Sequence, residues 1–258
     1  MLVNQSGDFY GMLSGGCLEG DLADRSRAII ASGVAEVVTY DLRADDDVFG
    51  FGVGCEGVLR ILVQPLCAAG NYEPFSGLIN TLDKNAFADV ALSTDQEELG
   101  VTRFLAPLRL LILGAGQDVE PLVLFTTALG WKVAVSDHRP ASVARLESSP
   151  AASVECVATN DIESHFDWRK FDAAIIMSHN LESDRAYLKV LAASPLQFIG
   201  LLGPLHRRDR LLREIGPAAD KLENRLHGPV GKRIGGRGPA AIALEIAAEL
   251  QSRFSSAD

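Results

Sequence analysis

Two cysteines, Cys17 and Cys55, each stand in a glycine-dense segment beside a glutamate: Ser14-Gly15-Gly16-Cys17-Leu18-Glu19-Gly20 and Gly50-Phe51-Gly52-Val53-Gly54-Cys55-Glu56-Gly57. A thiolate binds soft metals or accepts sulfur, and the dipole at a helix start favours the thiolate form. Cys17 falls at such a start, because Leu18 to Ala31 carries a helical pattern. Cys67 and Cys156 lack this context and read as small buried hydrophobes. No Cys-x-x-Cys spacing occurs, which argues against a zinc knuckle. The first residues show no basic segment leading into an apolar one, so the expectation is a cytoplasmic chain without a disulfide framework.

A second set of residues surrounds Gly114-Ala115-Gly116-Gln117-Asp118-Val119-Glu120-Pro121, directly after the apolar run Arg109–Leu113. Gly114 permits a tight turn, and Gly116 lets the backbone approach a pyrophosphate seated on the N-terminus of the next helix. Val119 replaces the third glycine of the dinucleotide fingerprint, so the motif is partial. Asp137, 23 residues beyond Gly114, ends the next apolar run and could accept hydrogen bonds from ribose hydroxyls. His138 and Arg139 beside it could instead meet a phosphate.

In a parallel sheet, ligands lie beyond the carboxyl ends of the strands. That rule draws in Ser178-His179-Asn180 and Gly203-Pro204-Leu205-His206-Arg207-Arg208. His179 either serves as a general acid/base or joins Asn180 in capping the next helix. Arg207 and Arg208 could neutralise phosphate, whereas Arg210 and Arg213 read as a solvated helix face. Gly235-Gly236-Arg237-Gly238-Pro239 is either an anion site of free backbone N–H groups with Arg237 alongside, or a flexible lead into a helix.

The elements that must position these residues divide the chain in two, residues 1–106 and 107–258. In the first part Val34–Tyr40 and Val58–Pro65 read as strands, and the stretch from 67 to 107 reads as loops around a short helix. The second part alternates strands (Arg109–Leu113, Lys132–Ser136, Ser153–Val157, Ala173–Met177, Gln197–Leu201) with helical stretches. This alternation predicts βαβ units and a parallel sheet, closed by a terminal helix from Pro239 through Ile242, Ile246 and Leu250. The fold class is therefore α/β: a small N-terminal α/β domain followed by a Rossmann-like domain. A net charge of −10 argues against a general nucleic-acid binder. The apolar runs are far shorter than the roughly 20 residues that span a bilayer, so neither nucleic acid nor membrane is an expected partner.

Together these segments resemble the XdhC/CoxI family, the accessory factors for xanthine dehydrogenase and related molybdenum hydroxylases. The resemblance runs through Ser14–Asp21, Phe49–Pro65, Leu111–Pro121, Ile176–Glu182, Phe198–Arg213 and Leu226–Leu244. It implies a protein that binds the molybdenum cofactor (molybdopterin), assists its sulfuration by a cysteine desulfurase and delivers it to a xanthine-dehydrogenase-like molybdoenzyme. On that resemblance Cys17 is the expected contact to cofactor or molybdenum and Cys55 the second. Gly15, Gly16, Gly114, Gly116, Asp137, His179, Asn180, Gly203 and Arg237 are the further cofactor-binding candidates. The chain departs from the family by starting in mid-domain, by carrying Gly231-Lys232-Arg233-Ile234-Gly235 where an acidic position is usual, and by Val119. Exposed strand edges in the first domain would favour a homodimer. The alternatives are an NAD(P)-dependent oxidoreductase, with Asp137 on the ribose and His179 as proton donor, and a non-catalytic regulatory protein that keeps only the fold.

Overall fold

A computed structural model describes residues 1–42, 57–84 and 87–254. The second glycine-cysteine segment, with Cys55, lies outside the described residues. The chain divides into two compact units, Met1–Ala106 and Pro107–Asp258.

The first unit opens with a short antiparallel pair, β1 (Leu2–Val3) and β2 (Phe9–Tyr10), and then enters helix α1 (Glu19–Ser32). Gly33 ends α1 in the left-handed conformation, φ 70°, and donates its N–H to the Ile29 carbonyl, an ending that glycine adopts without a Cβ penalty. Strands β3 (Glu36–Asp41) and β4 (Val58–Val63) pair antiparallel, and Val38 and Tyr40 on β3 pack against Leu18 and Leu22. Helix α2 (Phe75–Leu82) follows.

The region expected to be loops around one helix also contains a hairpin, β5 (Phe87–Ser93) and β6 (Glu98–Leu105). Its polar tip is what the sequence displays: Thr94 Oγ1 accepts the N–H groups of Gln96 and Glu97, and the Thr94 N–H donates to the Glu97 carbonyl. The acidic run is the turn of two strands whose faces are only partly buried, which weakens their apolar alternation.

The second unit is a six-stranded sheet in the order β12-β11-β10-β7-β8-β9. Its strands are β7 (Arg109–Leu113), β8 (Lys132–Asp137), β9 (Ser153–Cys156), β10 (Ala173–Ile176), β11 (Phe198–Leu201) and β12 (Leu226–His227). All pairs are parallel. This is the doubly wound Rossmann order, and its direction reverses between β7 and β10. Two layers cover it, α3 (Val119–Ala128) with α8 (Pro239–Phe254) on one face and α6 (Leu181–Ala193) with α7 (Leu205–Ile215) on the other. Short helices α4 (Pro140–Leu146) and α5 (Ile162–His165) flank β9.

Alternation along the central strands divides the core. Leu110, Ile112, Ala173 and Ile175 point to the α3/α8 face, and Leu111, Leu113, Ala174 and Ile176 to the α6/α7 face. Both sets are fully buried, as two-sided strands of a parallel sheet must be. Val119, in place of the third fingerprint glycine, is a fully buried member of the α3/α8 core. Among the described residues no helix is long and apolar enough to cross a membrane.

Candidate functional site

In the first unit the Cys17 turn is held by one hydroxyl and one carboxylate. Ser14 Oγ accepts the N–H groups of Cys17 (3.1 Å) and Leu18 (3.2 Å) at the start of α1. Glu19, buried at 3% exposure, reaches back: Oε1 accepts from the Leu13 and Ser14 N–H groups at 2.9 and 2.6 Å, and Oε2 accepts from Ser14 Oγ at 2.7 Å. The arrangement has the reciprocity of a capping box, with both residues bound to the other's backbone neighbourhood. Hydrogen bonds from the Ser14 side chain and backbone, with that of Leu13, outweigh desolvation and lower the Glu19 carboxyl to about 2.

Gly16, at φ 104°, takes a backbone conformation that L side chains rarely adopt. A Cβ on Gly15 or Gly16 would meet nothing within 4 Å, so the surface above the turn is open. Cys17 is an exposed free thiol on that surface. Cys67 and Cys156 are also exposed free thiols, contrary to the burial expected of them. Cys156 ends β9, an edge strand paired to β8, and Cys67 enters a 3-10 turn after Pro65, so neither reaches a core.

In the second unit the Gly114-Ala115-Gly116 turn leaves β7 at the point where strand order reverses. Gly114 has φ 129°, and a Cβ there would overlap the Met177 carbonyl at the end of β10. The sequence puts glycine here so that the two strand ends can touch. Asp137 lies at the end of β8, 1% exposed, with its hydrogen bonds turned inward. Its Oδ2 accepts from the Ala115 N–H at 2.7 Å and from Arg139 Nη2 at 2.7 Å, and its Oδ1 accepts from the Arg139 N–H and Nε at 2.8 and 2.9 Å. Desolvation pushes this carboxyl up, but the bonds from Arg139 and Ala115 prevail and hold it below the usual range. Asp137 thus braces the turn, and Arg139 closes on Asp137.

The crevice beyond β7 and β10 contains a pair not expected from the sequence. His179 Nε2 stands 2.7 Å from Asp118 Oδ2, and His179 holds φ 56°, a left-handed value that costs a non-glycine residue about 1–3 kcal/mol. A Cβ on Gly116 would fall 2.5 Å from Asp118 Oδ1 and 3.2 Å from the His179 ring. A carboxylate and an imidazole therefore stand over the turn where a pyrophosphate would approach. Asn180 is the helix cap: its Oδ1 accepts the Glu182 and Ser183 N–H groups at the start of α6. Of the two readings of Ser178-His179-Asn180, capping belongs to Asn180 and the crevice-facing position to His179.

Beside this pair, Asp184 of α6 is almost fully buried and takes Ser178 Oγ on Oδ1. Arg207 of α7 donates to Asp184 Oδ2 through Nε and Nη2, at 3.1 and 2.7 Å. Gly203, at φ 122°, has no side chain to obstruct Arg207, whose Cδ would stand 2.8 Å from a Cβ there. Asp118, Met177, His179, Asp184, Leu202–Pro204, Arg207 and Ile242 line an open pocket of about 310 Å³. Arg208 instead donates to the Gly228 carbonyl and to Asp209, and Arg210 pairs with Glu214 on an exposed face.

Helix α8 supplies the anions that engage the glycine loop before it. Glu245 Oε1 accepts the N–H groups of Ile234 and Gly235, at 3.1 and 3.0 Å, and Glu249, one turn on, accepts the Gly231 N–H and meets His227 Nδ1. One N–H group of the expected anion site, that of Gly235, is thus engaged by the chain itself, and Arg237 lies exposed on the loop. The structure brings Gly116, His179 and Gly203 to one crevice together with Asp118, Asp184 and Arg207. In the sequence Asp118 shows only as a turn residue, and Asp184 carries no signal beyond an acidic first helical turn.

These features define a two-unit protein in which a Rossmann domain with a partial dinucleotide turn accompanies a small domain carrying a braced, exposed thiol. Residues 110–250 match the model of the XdhC Rossmann domain, and residues 1–41 match the model of the XdhC and CoxI family. The chain belongs to the XdhC family of xanthine dehydrogenase accessory factors. It is 27% identical to a probable xanthine dehydrogenase subunit of Bacillus subtilis (strain 168), over 97% of this chain and 86% of that protein. It is 30% identical to the uncharacterized protein YqeB of Escherichia coli (strain K12), over 55% of this chain and 26% of that protein. A solved structure described as a xanthine dehydrogenase from Bacillus halodurans superposes with a TM-score of 0.78 at 28% identity, over 96% of this chain and 84% of that one.

Proposed function

We propose that this chain binds the molybdenum cofactor, shelters its reactive end while a cysteine desulfurase supplies sulfur, and hands it to a xanthine-dehydrogenase-like molybdenum hydroxylase. Its role is that of a carrier, working in the cytoplasm as a homodimer. The observation that carries this reading is Cys17, an exposed free thiol on an open glycine surface whose backbone is held by Ser14 and Glu19.

The donor set fits such a cofactor. The pterin brings its own dithiolene sulfurs to the metal, so the protein needs to add one thiolate and not a full ligand cage. Among the described residues no group of three or more His, Cys, Asp or Glu forms a separate metal cage. When bound, the cofactor supplies the molybdenum centre. Cys17 would hold its reactive end, and the Ser14–Glu19 brace fixes the backbone that carries that thiol, so that less ordering entropy opposes capture.

The dinucleotide reading finds less support in the geometry. A ribose partner should present free carboxylate oxygen, and the oxygens of Asp137 already accept four bonds. A diphosphate on the Gly114–Gly116 turn would meet the like charge of Asp118.

The test is cofactor content after expression in cells that make molybdopterin. Wild-type protein is expected to release an oxidised pterin on denaturation, and Cys17→Ala to retain a small fraction of that amount. Equal content in the two would refute the role of Cys17.

A further inference from the structure

Between Glu223 and Glu245 the chain carries no acidic residue and four arginine or lysine residues, Arg225, Lys232, Arg233 and Arg237, in a protein of net charge −10. Arg225 is turned inward, and its guanidinium donates to the carbonyls of Ala192, Ser194 and Leu196. The other three stand on the loop between β12 and α8, and all three are exposed. Their side chains have no hydrogen-bond or ion-pair partner among the described residues. Elsewhere the excess of carboxylates neutralises even exposed cations: Arg25, Arg103 and Arg210 each pair with one.

The loop that carries the three cations is pinned to α8. The Gly231 N–H donates to Glu249, the Lys232 N–H to the Glu245 carbonyl at 3.0 Å, and the Ile234 and Gly235 N–H groups to Glu245 Oε1. The two carboxylates that α8 turns toward the loop are thus directed at its backbone, and Glu249 also meets His227 Nδ1. Ile234, next to Arg233, is exposed, as is Leu244 beside Glu245. Apolar anchors flanked by arginine are the make-up of a protein interface, and a pinned loop lowers the ordering cost of association.

We infer that this loop docks a protein presenting an acidic surface, with Lys232, Arg233 and Arg237 facing its carboxylates and Ile234 seated among them. A second copy is a poor occupant, because a two-fold axis at the loop would set cations against cations. A nucleic acid is a poor one as well, because the rest of the chain is more acidic than the whole and repels a long polyanion. The surface to be tested is that of the xanthine-dehydrogenase-like molybdoenzyme, so in its choice of partner the inference rests on the carrier reading.

The experiment is biolayer interferometry of the full chain against the purified xanthine-dehydrogenase-like molybdoenzyme of the same organism. Wild type is expected to bind, and to bind at least about tenfold more weakly when salt is raised from about 50 mM to about 500 mM. Reversing the three charges together (Lys232→Glu, Arg233→Glu, Arg237→Glu) should cost at least about tenfold in affinity, chiefly through slower association, and abolish that salt dependence. The same change of net charge placed elsewhere, Arg169→Glu with Lys170→Glu and Lys189→Glu, should leave affinity within about twofold. No binding of the wild type, equal affinity in the wild type and the loop variant, equal loss in the two triple variants, or tighter binding of a single-stranded RNA than of the enzyme would each overturn the inference. If the loop variant does not fold, Arg233→Gln with Arg237→Gln is read in its place, and unchanged affinity there overturns it. Pterin released on denaturation is read in parallel: a wild type without pterin refutes the carrier reading, and docking indifferent to the loop refutes this inference.

Discussion

Single carboxylates decide what the conspicuous glycine and cysteine residues can do. Glu19 is the clearest case, since its bonds to Leu13 and Ser14 keep the Cys17 turn in place. Its carboxyl titrates near 2 in the folded chain against 4.5 ordinarily. The unfolded chain therefore binds the extra proton between those values, and the contribution of Glu19 is fully present above pH 4.5 and is lost as the pH falls through 2. Glu19→Gln should flatten the acid dependence of thermal stability across that window, as measured by melting at successive pH values. It should also free the turn, giving faster amide exchange at Cys17 and Leu18. An unchanged acid profile would show that the brace does not act as described.

At the scale of elements, the geometry depends on close strand ends and capped helices. Gly114→Ala would force a Cβ against the Met177 carbonyl at an unfavourable φ and should destabilise the second unit by about 2–4 kcal/mol, read by denaturant unfolding. Asn180→Ala removes the cap of α6 and should cost about 1 kcal/mol in the same assay. Much of this level is legible in the sequence. The strands from Arg109 to Leu201 are short apolar runs because both faces are covered, and Gly114, Asp137 and Asn180 stand at or just beyond their ends by register. The β5/β6 hairpin is not legible, because its half-exposed faces blur the alternation and its acidic tip reads as a loop. The roles of Asp118 and Asp184 are hidden for a different reason. Each is defined by a partner distant in the chain, His179 and Arg207, which only the crossover from β7 to β10 and the packing of α6 beside α7 bring near. Arg139 misleads in the opposite sense: a cation beside Asp137 suggests a phosphate, and it is spent on its neighbour.

On the scale of the whole molecule, a chain of net charge −10 folds into two compact units, each with its own distinctive surface. The first carries an open, braced thiol, and the second a small cavity floored by apolar side chains. The carrier role proposed above requires holding and release more than turnover, and a thiol on a braced backbone would serve holding. Membership of the XdhC family makes the chain an accessory factor for xanthine dehydrogenase. Co-expression with a xanthine-dehydrogenase-like partner should accordingly raise the partner's active fraction, and Cys17→Ala should remove most of that gain without lowering the amount of partner made.

The most direct measurement is the fluorescence of oxidised pterin released on denaturation from equal amounts of wild-type and Cys17→Ala protein, both purified from molybdopterin-producing cells and both shown to be folded. A carrier that holds its cofactor through Cys17 gives a clear pterin signal from the wild type and a strongly reduced one from the variant. Absence of pterin from the wild type, or equal signals from the two, would contradict that role.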